Sequence, residues 1–288
     1  MPVMKDPRES TIIVCGIVRN AEPGLRKNIP VINNICSQFH DYKVVVFEND
    51  SKDGTKELLQ TWHESYSDKV FVIMDDGKQD KVIPSIRDVN CNPFFSRWRI
   101  EKMAFFRNKY LTFVEDNGWN PDYLMVVDLD VSRISIDGVM SSFNSAYEWD
   151  AVTAFGYSYS PMMKKRYHDT FALIEMSEEN TPQTEKSIYG YCQKYGKILP
   201  DQEWVRVYSA YGGLALYRYE RIKGLRYKAI PNADSRVESR CEHYSLYHQM
   251  SERGETFVYI NPRMVVKYQS VTIGLIWRKL KMIISKKV

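Results

Sequence analysis

The chain has 288 residues and a formal net charge of +4, from 40 Lys and Arg against 36 Asp and Glu. Its 26% charged and 44% hydrophobic residues are ordinary globular values, which excludes a collagen, a coiled coil or a wholly disordered chain. The charge excess is too small to argue for nucleic acid, and the length suffices for a core that needs no disulfide or metal staple.

The run from Thr11 to Val18 is almost continuously apolar and reads as a buried parallel strand. Pro23-Gly24 breaks it, and a helix is expected over Leu25 to Phe39, with Pro30 near its first turns. Lys43 to Phe47 is a second buried strand, running into the polar loop Glu48 to Thr55. Lys56 to Tyr66 has helical character, and Val70 to Met74 is a third strand. Ser96 to Val114 reads as a long helix. Tyr123 to Val127 is a fourth strand, and it stops at Asp128-Leu129-Asp130. This alternation implies an α/β fold with a parallel sheet. Right-handed crossovers place the polar strand ends on one edge, where ligands bind.

The second half is less periodic. Trp149 to Phe155 and Val205 to Tyr217 are strand candidates, and the stretch from Tyr157 to Gln202 has few clear periods. Ser239 to Gly254 reads as a helix, and Thr256 to Ile260 as a strand ending at Asn261-Pro262. No repeat, low-complexity tract or linker separates the halves, so two lobes of one domain are expected.

The cysteines Cys15, Cys36, Cys91, Cys192 and Cys241 form no C-x-x-C pair, which disfavours a zinc ribbon and suits reduced thiols in a cytoplasmic protein. No signal peptide is visible at the start and no run of 18 apolar residues occurs.

Asp128 and Asp130 carry the clearest chemistry. Positions i and i+2 of a strand share a face, so both carboxylates can converge on one hard cation, Mn2+ or Mg2+, which also takes phosphate oxygens. The bland alternative is a turn or helix cap. In the loop, Glu48, Asn49, Asp50 and Asp53 can bind ribose hydroxyls and a base edge. The same residue types form turns, and Asp53 can simply cap the next helix. Arg19-Asn20 closes the first strand near the same place. Arg99 and Arg107 are eight residues apart on one helix and could fork onto a diphosphate; Arg97 is as easily a solvated side chain. Tyr211-Gly212-Gly213 precedes an apolar strand, where glycines allow close backbone approach to a ligand or form a bulge. Glu242 and His243 open a helix. Glu242 can act as a base or stabilise a cationic centre, or merely meet the helix dipole. His243 can complete a metal shell or be structural, and His248 points elsewhere. Asp169, beside His168, is a second catalytic candidate; Asp234 and Glu238 are weaker ones. No P-loop, G-x-G-x-x-G or G-x-S-x-G motif occurs.

These segments resemble, in order, a GT-A glycosyltransferase, and more closely the cryptococcal (capsule-associated) α-mannosyltransferase family. The segments carrying the resemblance are Glu48 to Thr55, Arg99 to Asn108, Asp128 to Val131, Tyr167 to Ala172, Tyr211 to Tyr217 and Cys241 to His243. The resemblance implies a GT-A (Rossmann-like), mostly parallel sheet flanked by helices, with an acceptor-side lobe. It implies a nucleotide-sugar donor, GDP-mannose, with a UDP-sugar as the alternative, and a glycan hydroxyl as acceptor. It further implies Mn2+ or Mg2+ on Asp128 and Asp130, nucleotide-sugar contacts through Asp128 and Leu129, and retention of configuration. An inverting enzyme with Glu242 as base is one alternative; an inactive glycan-binding protein is another. A nucleotidyltransferase would need a Gly-rich basic loop that Arg19 to Gly24 does not offer. Two departures stand out: family members usually carry an N-terminal anchor, and Ala172 to Glu175 replaces a segment that tends to hold Arg-Asp.

On this reading residues 10–131 form the nucleotide-sugar-binding half and residues 132–270 the acceptor-side half. Residues 271–288 are expected to form a basic amphipathic helix. They hold Arg278, Lys279, Lys281, Lys286 and Lys287 and no acid, so the remaining body is close to neutral. Ile273, Ile276, Trp277, Leu280, Ile283 and Ile284 recur at helical spacing. That pattern suits peripheral contact with an anionic membrane surface, or packing on the body or a partner.

Overall fold

The computed structural model describes residues 4–76, 91–160, 162–268 and Trp277. The first half runs β1 (Thr11–Val18), α1 (Glu22–Cys36), β2 (Asp41–Glu48), α2 (Thr55–Ser65), β3 (Val70–Met74), α3 (Arg97–Asp116) and β4 (Tyr123–Val127). The second runs β5 (Arg133–Ile134), α4 (Ile136–Met140), β6 (Ala151–Tyr159), β7 (Lys165–Tyr167), α5 (Glu185–Lys194), β8 (Val205–Arg206), β9 (Leu214–Arg218), α6 (Tyr219–Ile222), α7 (Glu242–Glu252) and β10 (Val258–Lys267).

One sheet of ten strands crosses both halves in the order β3-β2-β1-β4-β9-β6-β10-β5, with β7 on β6 and β8 on β10. The block β3-β2-β1-β4 is parallel, β9 is antiparallel between β4 and β6, and β6 and β10 are parallel again. This is the expected mixed α/β class with a mostly parallel sheet. Helices cover both faces, so the central strands are buried on both sides and read as continuous apolar runs. Ile13 and Cys15 enter a core with α3 and α7, while Ile12 and Val14 enter a core with α1 and α2.

Several boundaries differ from the sequence expectations. α1 starts at Glu22, because Pro23 occupies its first turn, where its missing N–H costs nothing. Pro30 therefore lies inside the helix. The strand expected over Val205 to Tyr217 divides into β8 and β9, because positive φ at Gly212 and Gly213 turns the chain between them. α7 begins at Glu242, later than Ser239. β10 continues past Asn261-Pro262 to Lys267, because a register shift between Asn261 and Val265 absorbs the proline. β4 ends at Val127, and Leu129-Asp130 is a turn, so strand alternation is not what brings Asp128 and Asp130 together.

The expected basic helix at 271–288 lies outside the described residues except for Trp277, which is exposed. Among the described residues no helix is long and apolar enough to cross a membrane.

Candidate active site

A cleft of about 510 Å3 opens at the carboxyl ends of β1, β2 and β4. Ile17, Arg19, Phe47 and Asn49 line it from β1 and β2; Arg99, Lys102, Phe106 and Arg107 line it from α3. Asp128, Asp130, His168, Asp169, Tyr211, Glu242, His243 and Tyr268 also line it, with Phe94, Phe171 and Cys241 among the rest.

The Glu48 to Thr55 loop is a rigid shelf beside this cleft. Glu48 is fully buried, and its Oε1 accepts from the Ser51 N–H at 2.6 Å. Asp53 braces the loop just before α2, whose N-cap is Gly54: Oδ1 accepts from the Thr55 N–H and hydroxyl, and Oδ2 from the Glu22 N–H. Asn20 and Asp50 both have positive φ. The Asn20 side chain accepts from the Lys52 N–H, and Asp50 pairs with Lys52 and with Arg19 at 3.4 Å. Of Glu48, Asn49, Asp50 and Asp53, only Asn49 lines the cleft. Asn20 and Leu129 do not reach it either; the Leu129 side chain is buried against Gly16.

Asp130 reaches the cleft because α1 packs tightly behind it. A Cβ on Gly24 would lie 2.5 Å from the Asp130 Cα, so only glycine permits this approach. From the same helix, the buried Asn28 amide donates to the Leu129 and Val131 carbonyls at 2.8 and 2.7 Å and clamps the turn. Asp130 itself is exposed. Asp128 sits deeper: Oδ1 accepts from the Tyr211 hydroxyl and Oδ2 from the Tyr268 hydroxyl, both at 2.8 Å. Burial pushes the Asp128 carboxyl up to about 6; Arg107 opposes the rise and Asp130 adds to it.

Arg107 is buried, donating through Nε to Glu242 Oε1 at 3.0 Å, with Nη2 3.9 Å from Asp128 Oδ1. Its Nη1 is buried without a hydrogen-bond partner. His243 stacks on Tyr211, ring centroids 3.7 Å apart; both its ring nitrogens are buried without a hydrogen-bond partner, with Nε2 3.8 Å from Glu242 Oε1. Burial and the Arg107 charge hold it neutral, well below the usual histidine range. Asp169 adopts a positive φ of 67°, a conformation that costs energy outside glycine. Burial first, then the charges of Asp128 and Glu242, push its carboxyl up to about 7. Gly212 and Gly213 lie behind this wall, with φ of 65° and 87°. A Cβ on Gly212 would meet the Ala154 carbonyl at 2.2 Å, and one on Gly213 the Tyr268 hydroxyl at 2.6 Å.

Residues 20–247 match the family described as cryptococcal mannosyltransferase 1. The chain belongs to the cryptococcal mannosyltransferase family, a family of glycosyltransferases. No curated protein matches it. Solved structures similar to it include a mannosyltransferase, PcManGT, from Pyrobaculum calidifontis in complex with GDP-Man and Mn2+. That match has 14% identity and a TM-score of 0.49, and covers 96% of this chain and 62% of that one. A second is S. aureus TarS 1-349, at 11% identity and a TM-score of 0.47, covering 95% of this chain and 64% of that one. A third is GalNAc-T7 with UDP, GalNAc and Mn2+, at 10% identity and a TM-score of 0.47, covering 92% and 45%. The chain thus spans less than two thirds of the length of these structures.

Among the described residues no three His, Cys, Asp or Glu side chains converge as a ready-made metal cage. The chemistry of the donors lining the cleft is nonetheless compatible with a hard cation. Asp128 and Asp130 offer oxygens, His243 offers a neutral ring with unpartnered nitrogens, and all three line one cleft. Such an ion would complete its shell with phosphate oxygens and water.

Sequence reasoning missed several cleft or support residues, among them Asn28, Lys102, Phe47, Phe106, Phe171 and Tyr268, and the cleft-lining role of His168. Asn28 carried a signal, since it stands between Leu25 and Ile32 on the apolar face of α1. Tyr268 carried none, because its ring reaches the cleft only after β10 runs past the residue where the strand was expected to end.

Proposed function

We propose that this chain transfers a mannosyl group from GDP-mannose to a hydroxyl of a glycan acceptor, with a divalent cation and with retention at the anomeric carbon. The observation that carries the reading is the single cleft that joins Arg19 and Asn49 at the ends of β1 and β2 to Asp128, Asp130, Arg107 and Glu242. Ligands of parallel α/β sheets bind at that edge.

Arg19 and Asn49 are placed to meet the nucleoside, with Phe47 and Phe106 excluding water beside it. A divalent cation held by Asp128, Asp130 and His243 would offset charge on the departing diphosphate. Arg99 and Arg107 present guanidinium groups to the same phosphates. The Arg107 Nη1 is buried without a hydrogen-bond partner, so it becomes a donor to a phosphate or sugar oxygen only where the bound ligand uncovers it. Glu242, pinned by Arg107, is suited to a fixed negative charge facing the anomeric centre rather than to a base. Asp169 titrates near neutral and suits proton exchange with the acceptor hydroxyl. A retaining reaction can alternatively send that proton to the leaving phosphate. Tyr211, with Gly212 and Gly213 behind it, shapes the acceptor side. Peripheral membrane attachment through residues 273–288 belongs to the same proposal, and its check is loss of liposome binding when they are deleted.

The test is a donor screen. Thermal shift and hydrolysis are measured with GDP-, UDP- and other nucleotide sugars, with Mn2+ and with EDTA. GDP-mannose with Mn2+ is expected to stabilise the protein and to be turned over. If no nucleotide sugar binds and EDTA changes nothing, the reading fails.

A further inference from the structure

The far end of the sheet carries cations that no acid neutralises. β6 and β10 run in the same direction as β4, so their carboxyl ends finish at the edge where the cleft opens. There Arg133 of β5 lies opposite Lys267 of β10, and Lys267 opposite Tyr157 of β6. Across β6 and β7, Ser158 is opposite Arg166 and Tyr159 opposite Lys165. Arg133, Lys164 and Arg166 are exposed, and Lys165 and Lys267 partly so. Among the described residues none of these five forms an ion pair, whereas Lys5, Lys52 and Lys69 elsewhere on the surface are each paired with an Asp. The three adjoining segments 131–136, 157–168 and 258–268 contain no Asp or Glu at all.

Lys165 lacks a counter-charge most plainly. Its Nζ lies 4.3 Å from the Phe155 ring and 4.9 Å from the Tyr157 ring. Burial there lowers its pKa, and no carboxylate opposes the fall. The turn beside it is firmly built. The Ser160 N–H donates to the Lys164 carbonyl at 2.9 Å, the Met163 N–H to the Ser160 carbonyl at 2.8 Å, and the Lys164 N–H to the Ser160 hydroxyl at 3.1 Å. This turn presents Met162 and Met163, both partly exposed, just ahead of Lys164-Lys165-Arg166. Apolar tips ringed by long basic side chains suit the boundary between phosphate headgroups and acyl chains. The cations are also spread over four adjacent strands, a width of about 15 Å. Such a spread matches an extended anionic surface better than one bound phosphate.

We propose that this edge of the folded body docks on an anionic phospholipid surface, with Arg133, Lys164, Lys165, Arg166 and Lys267 on the headgroups and Met162 and Met163 at the acyl boundary. The inference goes beyond attachment through residues 273–288, because it fixes which face of the body meets the bilayer. Two contacts on one chain reinforce each other, so losing either lowers affinity steeply. β7 runs directly into His168 and Asp169, and β10 into Tyr268, all of which line the cleft. Docking here holds the cleft beside the bilayer, where an acceptor carried in the membrane can enter it.

The experiment uses the full chain and vesicles of phosphatidylcholine, alone or mixed with phosphatidylserine. Co-sedimentation gives the affinity and hydrogen exchange gives the contact. The wild-type protein should bind only the mixed vesicles, more weakly as salt rises, with the turn at 160–166 protected. Lys164→Gln with Arg166→Gln should weaken binding by roughly thirtyfold, about fivefold for each cation. Lys27→Gln with Lys186→Gln removes the same charge from exposed positions on α1 and α5, and should change binding less than about twofold. Neither pair breaks an ion pair, so both variants should keep the wild-type melting temperature. Wild-type binding by the first variant would leave attachment to residues 273–288 alone and overturn the proposal. Equal weakening in both variants, which would reduce the effect to net charge, overturns it too, as does an unprotected turn on bound vesicles. So does a protein that ignores the vesicles but binds dextran sulfate, which would make the edge a site for a soluble polyanion. No readout involves donor turnover, so failure of the donor screen leaves this test intact.

Discussion

Arg107 on α3 and Glu242 on α7 form a buried ion pair, Nε to Oε1 at 3.0 Å, with side chains 4% and 5% exposed. The pair joins two helices on one face of the sheet and sets the floor of the cleft. Breaking one side of such a pair leaves an uncompensated buried charge, whereas replacing both sides can be nearly neutral. Arg107→Met should therefore lower stability by about 3–5 kcal/mol. The double variant Arg107→Met with Glu242→Leu should recover much of the loss. Urea unfolding of the wild type, both single variants and the double variant gives the cycle. Additive losses would mean that the two side chains do not act as a pair.

Asp130 behaves oppositely. It is exposed, and what fixes its position is backbone packing against Gly24 and the Asn28 clamp. Asp130→Ala should change stability by no more than about 0.5 kcal/mol, as surface substitutions usually do. It should nevertheless remove the Mn2+-dependent part of donor binding and turnover. Mn2+ titration by calorimetry, with unfolding of the same sample, separates the two effects. Near-normal Mn2+ affinity in this variant would move the ion elsewhere in the cleft.

The nucleotide half was legible in the sequence because parallel strands buried on both faces are bare apolar runs. β1 and β4 match their expected spans, and the polar ends of the first, second and fourth strands do meet at one edge. The loop of acids was less legible, because Asn, Asp and Ser serve turns and ligands alike. Glu48, Asp50 and Asp53 are spent on the loop's own hydrogen bonds and ion pairs, whereas Asn49 faces the cleft. The second half was obscured by short pieces. β7 and β8 have three and two residues, too few for any period to show. Long-range contacts such as Tyr268 to Asp128 leave no local trace at all.

Asp169 links the cleft to pH. Its folded-state carboxyl is raised from 3.8 to about 7, so between those values the native protein keeps a proton that the unfolded chain has lost. Stability then falls as pH rises from about 4 to about 7, and is flat above that. Asp128, raised to about 6, acts in the same direction over the lower part of the window. In metal-free protein the melting temperature should therefore decline across this window, after correction for other groups. Asp169→Asn should make the decline shallower, since the amide never ionises. An identical slope in wild type and variant would show that Asp169 is solvated and unshifted.

Tyr268 and Tyr211 occupy both oxygens of Asp128, each with a hydroxyl at 2.8 Å. Tyr268 is fixed from behind: its N–H donates to the Tyr157 carbonyl, its carbonyl accepts from the Ser132 hydroxyl, and its ring lies against His168, centroids 3.5 Å apart and tilted by 30°. A cation that takes Asp128 Oδ2 must displace or share the Tyr268 hydroxyl. Hydrogen bonds to charged groups contribute about 1.5–3 kcal/mol, so the competition is of measurable size. Tyr268→Phe should bind Mn2+ more tightly without donor, by roughly tenfold if about 1.4 kcal/mol of that bond is lost on metal entry. The ring and its contact with His168 are retained, so stability should change little. Competition of the protein with a coloured chelator for Mn2+ gives the affinity without reference to turnover. Weaker binding in Tyr268→Phe would mean that the hydroxyl holds Asp128 in its metal-binding orientation instead of competing for it.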